Sequence, residues 1–177
     1  RVLGAYQWSA TNGEWTLLTA YYTYLGTWRQ LSGLPPIGTA LADCSWAQID
    51  RIGKAGKAEE YFCVGDTKDI VLSTAETITL QIIGFNHDDL AVAGSGKAPF
   101  TFDFKDCMAT KHQLNAGTTS VGGYNGCMFY PTLNNSIFNS LPADLRAVIK
   151  PVTKLTGAGN ASTNIVTTQE KLFLLSE

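Results

Sequence analysis

The sequence predicts an α+β fold in which short antiparallel strands combine with two to three helices. Three patterns lead to this fold class. An N-terminal stretch is dense in aromatic and β-branched residues, which favour strands. A second stretch repeats apolar residues at helical spacing behind a capping signal, and a third alternates apolar and polar residues as a half-buried strand does.

Residues 1–38 are predicted to be a β-rich arm and linker that precedes the main body. The phrase EWTLLTAYYTYLGTW, residues 14–28, predicts one or two strands, and GLPP, residues 33–36, predicts a stiff linker. A lone arm would solvate its aromatic side chains poorly. We therefore expect them to pack on a neighbouring protein or on another copy of the chain, with packing into the chain's own core as the alternative. These aromatic residues are Trp8, Trp15, Tyr21, Tyr22, Tyr24 and Trp28.

Residues 39–177 are predicted to be one domain, whose first helix has the clearest start. Ser45 is predicted to be the N-cap, and Gln48 three residues later completes a capping box. Gly56 offers the end of this helix. The apolar residues that recur at helical spacing are Trp46, Ile49 and Ile52.

Three strands are predicted to follow this helix. They lie in the phrases VGDTKDIVL (residues 64–72), ETITLQIIGF (residues 76–85) and FTFDF (residues 100–104). The second phrase alternates most regularly, as expected of a strand with one buried face. Its alternating apolar residues are Ile78, Leu80 and Ile82.

A loop and two helices are predicted next. The loop is the polar, Gly-rich segment 115–126, and the first helix covers about residues 131–139. The second helix lies in the phrase PADLRAVIK. Pro142 fits its first turn, where a missing N–H costs little, and Pro151 ends it.

The final phrase, IVTTQEKLFLL (residues 165–175), is predicted to be a closing strand. Its four consecutive apolar residues are expected to be buried, and Ser176 is expected to begin a helix. We therefore expect this point to be the middle of a larger domain. The start at Arg1 rather than Met is expected to be a processed or trimmed end.

Composition narrows the classes of partner. Charged residues make up 16% of the chain and the net charge is −2, whereas soluble domains average about 25% charged residues. Nucleic acid is not favoured as a partner, because phosphate contacts need clustered Lys and Arg. No stretch approaches the ~18 apolar residues that predict a membrane span. A low-charge surface rich in Gly, Thr, Ser and Asn suits an extracellular or virion protein.

The four cysteines form no C-x-x-C pair. We expect free and mostly buried thiols, because buried cysteine packs as a small hydrophobic residue. A disulfide is the second interpretation. A metal site is the third, since the chain has two histidines and no tight ligand spacing. The cysteines are Cys44, Cys63, Cys107 and Cys127.

Two phrases resemble ligand-binding motifs without completing them. GSGK, residues 94–97, is predicted to be a turn, because Ala91 and Ala98 replace the glycine and the hydroxyl that a phosphate-binding loop requires. FNHDDL, residues 85–90, is predicted to be a polar loop with His87 bonded to the backbone. The alternative is a Ca²⁺ site of oxygen ligands. Its ligands would be Asn86, Asp88 and Asp89.

The phrase VGGYNG, residues 121–126, has glycines that allow positive φ or close backbone approach. Turn formation is the preferred interpretation, and ligand contact is the alternative. No G-x-S-x-G elbow is present, and nothing sets two carboxylates across a cleft. No catalytic residue, metal ligand or cofactor is therefore predicted, and the binding residues are left unassigned.

Six dispersed phrases, in order, resemble a domain family of undefined function that is abundant in phages, prophages and gut Firmicutes. They are DCSWAQIDRIGKAGKAEEYFCVGDTKDI, IIGFNHDDL, GKAPFTF, VGGYNGC, SIFNSLPADLRAVIKPVTKLTGAGN and TTQEKLFLLSE. The chain resembles the first half of this family's domain. The family resembles the C-type-lectin-like fold, which formylglycine-generating enzymes and the variable proteins of diversity-generating retroelements share. The resemblance implies a C-type-lectin-like body over residues 39–177.

The sequence departs from these relatives at two places. Tyr124, Cys127 and Tyr130 stand where relatives usually have Trp, Ser and Arg, so whatever that Arg braces is expected to be lost or replaced. Relatives also continue beyond FLLSE, toward a Trp-x-Arg-Ser-Pro segment and a Gly-rich final strand. In the lectin-like relatives this second half displays the ligand-binding surface. No binding residue can therefore be carried over to this chain.

The resemblance and the composition together lead us to expect a non-enzymatic structural or binding module of a phage particle, located in the virion. Decoration, tail-tip and fibre-associated proteins fit this description. The expected partners are other virion proteins or copies of the chain, through the N-terminal arm, and a host-surface glycan or protein. The alternative is an extracellular segment of a bacterial surface adhesin that binds glycan or protein. A third interpretation is an enzyme akin to formylglycine-generating oxidases, whose cysteines lie in the half without a counterpart here.

Overall fold

The structure, a computed structural model, describes residues 2–9, 14–24, 27–30 and 34–175, and the side chains of residues 34–175. These residues combine short helices with antiparallel strands, which confirms the predicted α+β class. The chain divides into two compact units, residues 1–62 and residues 63–177. The division predicted after residue 38, from the change in composition and the Pro-Pro segment, stays a prediction.

The first unit opens with a three-stranded antiparallel sheet in the order β1-β2-β3. Its strands are β1 (Val2–Ser9), β2 (Glu14–Tyr24) and β3 (Thr27–Gln30). The segment therefore holds more strands than the one or two predicted. A register shift between Ala5 and Tyr6 marks a bulge in β1. The expected packing of the aromatic side chains lies outside the described side chains and stays a prediction.

The helix predicted from the capping box is present as α1, Trp46–Lys54. The Ser45 hydroxyl accepts from the Gln48 N–H, and Gln48 Oε1 accepts from the Ser45 N–H at 2.8 Å, so two donors at the helix start are satisfied reciprocally. The chain leaves the helix through Gly56 at φ +68°, a conformation that glycine adopts without strain. The buried residues of its apolar face include Trp46, Ile49 and Ile52.

The Pro-Pro segment, predicted to be a linker, is held within the first unit. A 3₁₀ turn at Leu41–Asp43 precedes α1, and the short helix α2, Ala58–Tyr61, follows it. The Tyr61 hydroxyl donates to the backbone oxygen of Pro35 at 3.0 Å, and Pro35 is buried. Burial and this hydrogen bond together fasten the segment to α2.

The second unit begins with an antiparallel sheet in the order β4-β5-β6. Its strands are β4 (Thr67–Val71), β5 (Thr77–Gly84) and β6 (Thr101–Phe104). All three lie in the phrases that predicted strands. The alternation predicted for β5 is confirmed, because every second side chain is buried. The buried members are Ile78, Leu80, Ile82 and Gly84.

Two helical segments follow the Gly-rich loop, as predicted. The first is irregular, because a wider π-type turn interrupts it. Its parts are α3 (Phe129–Pro131), the π-type turn (Thr132–Ile137) and α4 (Phe138–Ser140). The second is α5, Ala143–Val148, with Pro142 just before its first residue. None of the helices among the described residues is long and apolar enough to cross a membrane.

A two-stranded antiparallel hairpin closes the second unit. Its strands are β7, Val152–Gly157, and β8, Ile165–Glu170. β7 was not predicted, because its inward positions include polar residues that hide the alternation. The predicted closing strand is shorter than expected and ends at Glu170. The expected burial of the apolar end is wrong for Leu174 and Leu175, which are 43% and 61% exposed.

The cysteines differ from the expectation in burial. None of the four forms a disulfide within the described residues, and Cys44 and Cys127 are buried. Cys63 and Cys107 are exposed, so the prediction of mostly buried thiols is wrong for these two. Both lie in connecting segments, where no sheet or helix face covers them.

Candidate functional site

A buried carboxylate at the end of β8 is the centre of the candidate site. Glu170 is 1% exposed, and the Tyr130 hydroxyl donates to its Oε1 at 2.9 Å. Burying a charged group costs free energy unless hydrogen bonds compensate it. The bond from Tyr130 therefore offsets part of the cost of burying the Glu170 carboxylate. The ring of Tyr124 meets the ring of Tyr130 edge-on at 5.2 Å between centroids. We call these three residues the tyrosine–glutamate cluster.

Local structure sets the position of Tyr130. It lies in the middle of α3, and the π-type turn begins two residues later. The Asn134 side chain reaches back from that turn and donates to the backbone oxygen of Tyr130 at 3.2 Å. Asn135 makes the equivalent bond to the backbone oxygen of Pro131 at 3.0 Å. The two amides therefore satisfy carbonyls where the helix widens, and the tyrosine is held facing β8.

The VGGYNG loop positions Tyr124 by pressing against the turn of the hairpin. Gly123 has φ +61°, and a Cβ there would lie 2.1 Å from the backbone oxygen of Gly157. A Cβ on Gly159 would lie 1.6 Å from the backbone oxygen of Ser120. The backbone of the loop and the backbone of the hairpin turn touch, so glycine is required both at Gly123 and at Gly159. This agrees with turn formation and close approach, the first of the two interpretations of the loop.

Burial raises the pKa of both phenols above the ordinary value of about 10, so they stay protonated well above neutral pH. It raises the pKa of Tyr124 to about 12, and the charges of Glu170 and Tyr130 add to this effect, while the Asn134 side chain opposes it. Burial also raises the pKa of Tyr130, and its hydrogen bond to Glu170 acts in the same direction. A phenol beside a carboxylate resists losing its proton, because two negative charges would then face each other. Both tyrosines are therefore hydrogen-bond donors rather than nucleophiles.

The inward face around this cluster carries further hydrogen-bonding capacity. Several buried polar atoms have no hydrogen-bond partner among the described residues. They include the Tyr124 hydroxyl, Asn125 Oδ1, Thr156 Oγ1, Thr168 Oγ1 and Glu170 Oε2. The carboxylate and amide oxygens accept only, whereas the hydroxyls both donate and accept. All of these atoms are buried, so the cluster is a polar part of the interior whose phenols stay protonated.

The polar FNHDDL loop forms two ion pairs, one with β7 and one with the GSGK turn. Asp88 forms a salt bridge with Lys154 and accepts from the Thr101 hydroxyl at 3.1 Å. Asp89 pairs with Lys97 at 3.1 Å. The carboxylates proposed as Ca²⁺ ligands are thus turned toward lysines. The structure favours the first interpretation of this phrase, a polar loop.

The GSGK phrase is a turn, as predicted. Gly94 and Gly96 have φ +77° and +79°, values that favour glycine. Lys97 Nζ donates to the backbone oxygen of His87 at 3.1 Å, which joins this turn to the preceding loop. The His87 ring lies against Gly84, where a Cβ would come within 2.6 Å of it. The close fit explains why the end of β5 is a glycine.

Sequence reasoning missed the two charged residues that organise this region. Glu170 was assigned to a strand without a role, although it occupies the same face of β8 as Val166 and Thr168. A charged residue at an inward position of an alternating strand is the signal that could have found it. Lys154 could not have been found in this way, because β7 itself was not predicted. Tyr130 stands where relatives usually have Arg, and the role of that Arg was expected to be lost or replaced. In this chain the Tyr130 hydroxyl donates a hydrogen bond to Glu170.

Comparison with known proteins gives one partial similarity. No curated protein and no solved structure matches the chain. Residues 101–177 match the model of a family described as a domain of unknown function (DUF6273). The matched residues begin at β6 and include the whole tyrosine–glutamate cluster. The chain is thus similar, over fewer than half of its 177 residues, to a domain of undefined function.

Proposed function

We propose that this chain is a non-enzymatic structural and binding module of a phage particle. A decoration, tail-tip or fibre-associated protein would have these properties, and its place would be the virion. Its partners would be other virion proteins or further copies of the chain, through the N-terminal arm, and a glycan or protein of the host surface. The resemblance carried by the six phrases and the low charge of the chain support this assignment.

The observation that carries the binding role is an exposed apolar face on the closing hairpin. Leu155 and Ile165 are 67% and 66% exposed, and they are diagonal neighbours on the outward face of β7 and β8. The rest of that face is uncharged, being formed by Thr, Gly and Gln side chains. Large apolar residues grouped on an exposed sheet face are typical of surfaces that bind another protein.

We further propose that residues 39–177 form part of a C-type-lectin-like body. The capped helix α1, the short antiparallel strands and the closing hairpin are compatible with this assignment. In such a body the tyrosine–glutamate cluster would brace the closing hairpin against the helical segment that carries Tyr130.

Particle composition tests the proposal directly. Phage particles induced from the source organism and purified by density gradient should contain peptides of this chain in amounts that stay constant through further purification. A tagged Leu155→Lys chain should be incorporated less than the wild type, because a charge would enter the bound face. Val92→Lys is the matched control, since Val92 is 68% exposed but lies outside the hairpin. It should be incorporated normally.

The opposite results would reject the virion role. If the chain is missing from purified particles, the assignment fails. If it is found instead on the bacterial surface and binds host-type glycans on an array, the adhesin alternative is supported. Equal incorporation of the two lysine variants would show that the hairpin face is not the bound surface, even if the chain is present in particles.

A further inference from the structure

The ion pair between Asp88 and Lys154 is better shielded from water than the other ion pairs of the described residues. Lys154 Nζ lies 2.5 Å from Asp88 Oδ1, and the two side chains are 24% and 13% exposed. In each of the other pairs among residues 34–175, at least one side chain is more than half exposed. The shielded pair also joins two segments that are sixty-six residues apart in the sequence.

Backbone pairing next to this ion pair holds its two partners together. The Thr153 N–H donates to the backbone oxygen of Asp89 at 2.8 Å, and Leu90 forms an antiparallel β-bridge with Val152. The loop that carries the carboxylate therefore runs beside β7, next to the lysine. Because the backbone is fixed on both sides, the amine and the carboxyl group meet at a high effective concentration.

Two further contacts complete the surroundings of the pair. The ring of Phe173 covers the amine, with its centroid 3.8 Å from Lys154 Nζ. The second carboxylate oxygen, Asp88 Oδ2, accepts from the hydroxyl of Thr101 at 3.1 Å, and Thr101 is 8% exposed. The ring limits the access of water to the amine. The buried hydroxyl is placed to stabilise negative charge that develops on Oδ2 when a nucleophile attacks the carboxyl carbon.

We propose that Lys154 and Asp88 form an intramolecular isopeptide bond. The ammonium group first passes one proton to Oδ1, and the lone pair of Nζ then attacks Cγ. The tetrahedral intermediate carries its negative charge on Oδ2, which the Thr101 hydroxyl holds. A second proton then moves from the nitrogen to Oδ1, and Oδ1 leaves as water while the C=O bond re-forms. One ammonium and one carboxylate thus become one amide and one water, so no oxidant or co-reactant is needed.

The bond fastens the FNHDDL loop to the closing hairpin and closes a long loop of the chain, which restricts the unfolded state as a disulfide does. The neighbouring pair of Lys97 and Asp89 does not meet the same conditions. Its atoms are 3.1 Å apart, and the Asp89 side chain is 73% exposed, so water hydrates that carboxylate. The proposed bond rests on the surroundings of Lys154 alone and does not depend on the virion role.

Mass spectrometry of the purified full chain, denatured and reduced, tests the bond. The wild type should be lighter than its sequence by the mass of one water molecule, and digestion should release a branched peptide that contains both Asp88 and Lys154. Lys154→Arg keeps a positive charge beside Asp88 but supplies no attacking amine, so it should have the full sequence mass. Lys97→Arg is the matched control, because it alters the exposed pair, and it should keep the mass deficit.

The rate of bond formation supplies the second measurement. Thr101→Val removes the donor to Oδ2 and should slow the reaction about a hundredfold, so the freshly purified variant should contain unlinked chain. Circular dichroism checks that each variant is folded. A folded wild type with the full sequence mass would overturn the proposal and leave an ordinary salt bridge. A mass deficit that persists in Lys154→Arg would overturn it as well. None of these results bears on whether the chain is present in phage particles.

Discussion

Removing a single hydroxyl group from the tyrosine–glutamate cluster should destabilise the second unit measurably. Tyr130→Phe keeps the ring that packs edge-on to Tyr124 and deletes only the donor to Glu170 Oε1 at 2.9 Å. Glu170 is 1% exposed, so water does not readily replace that donor. The substitution therefore isolates one hydrogen bond to a buried charge.

The expected loss follows from the burial of the two partners. A hydrogen bond to a charged group contributes about 1.5–3 kcal/mol, and stripping a buried charge of its partner costs about 3–5 kcal/mol. Tyr130 is only half-buried, so some access of water limits the loss. We expect the free energy of unfolding to fall by about 2 kcal/mol. With a slope near 2 kcal/mol per molar urea, the midpoint should fall by about 1 M.

Urea unfolding followed by far-ultraviolet circular dichroism at neutral pH measures this effect. Tyr124→Phe is the matched control, because it makes the same chemical change on the neighbouring ring. The Tyr124 hydroxyl has no hydrogen-bond partner among the described residues, so its removal should change the midpoint little or raise it. Adding Glu170→Gln to Tyr130→Phe should recover part of the lost stability, because the uncompensated charge is then gone.

Two results would refute this reasoning. Equal midpoints for the two Tyr→Phe variants would mean that the bond between Tyr130 and Glu170 contributes nothing specific. A double variant with Glu170→Gln that is no more stable than Tyr130→Phe alone would mean that the charge of Glu170 is not the source of the cost.

Three further predictions concern pH, the helix cap and the Gly-rich loop. The pKa of Tyr124 is raised to about 12, so this phenol leaves the stability independent of pH below the unfolded value of about 10 and lowers it as pH rises from there through about 12. A tyrosinate absorbance titration in which every phenol ionises near pH 10 would contradict this. Ser45→Ala should cost about 1 kcal/mol and speed amide exchange in the first turn of α1; unchanged exchange would count against the cap. Gly123→Ala should cost about 1–3 kcal/mol, because its Cβ would meet Gly157 at φ +61°. Gly117→Ala is the matched control, because a Cβ at Gly117 would meet no atom within 4 Å. If the thermal midpoint of Gly117→Ala were as low as that of Gly123→Ala, the steric argument would be refuted.

The two faces of the closing hairpin differ in chemistry. On the inward face, Glu170 accepts a hydrogen bond from Tyr130, and Lys154 forms an ion pair with Asp88 of the FNHDDL loop. Outward side chains form an uncharged face with exposed Leu155 and Ile165.

Local patterns in the sequence determined those elements whose cause is local. The capping box at Ser45 and Gln48 placed the start of α1, because both partners lie within one turn. The alternation in β5 determined its buried face, because side-chain direction has a period of two in any strand. The turns at the Gly-rich phrases were predictable for the same reason, since positive φ is a property of single residues.

Tertiary structure alone decided the features that join distant segments. Tyr130 and Glu170 are forty residues apart, and Asp88 and Lys154 are sixty-six apart, so no local pattern relates them. β7 escaped prediction because its inward positions include the polar residues Lys154 and Thr156, and the partner of Lys154, Asp88, lies far away in the sequence. The apolar residues after Glu170 were expected in a buried strand, but the ladder with β7 ends there and leaves Leu175 exposed. Hydrophobic sequence indicates a tendency to be buried, but only the packing of other segments decides whether it is.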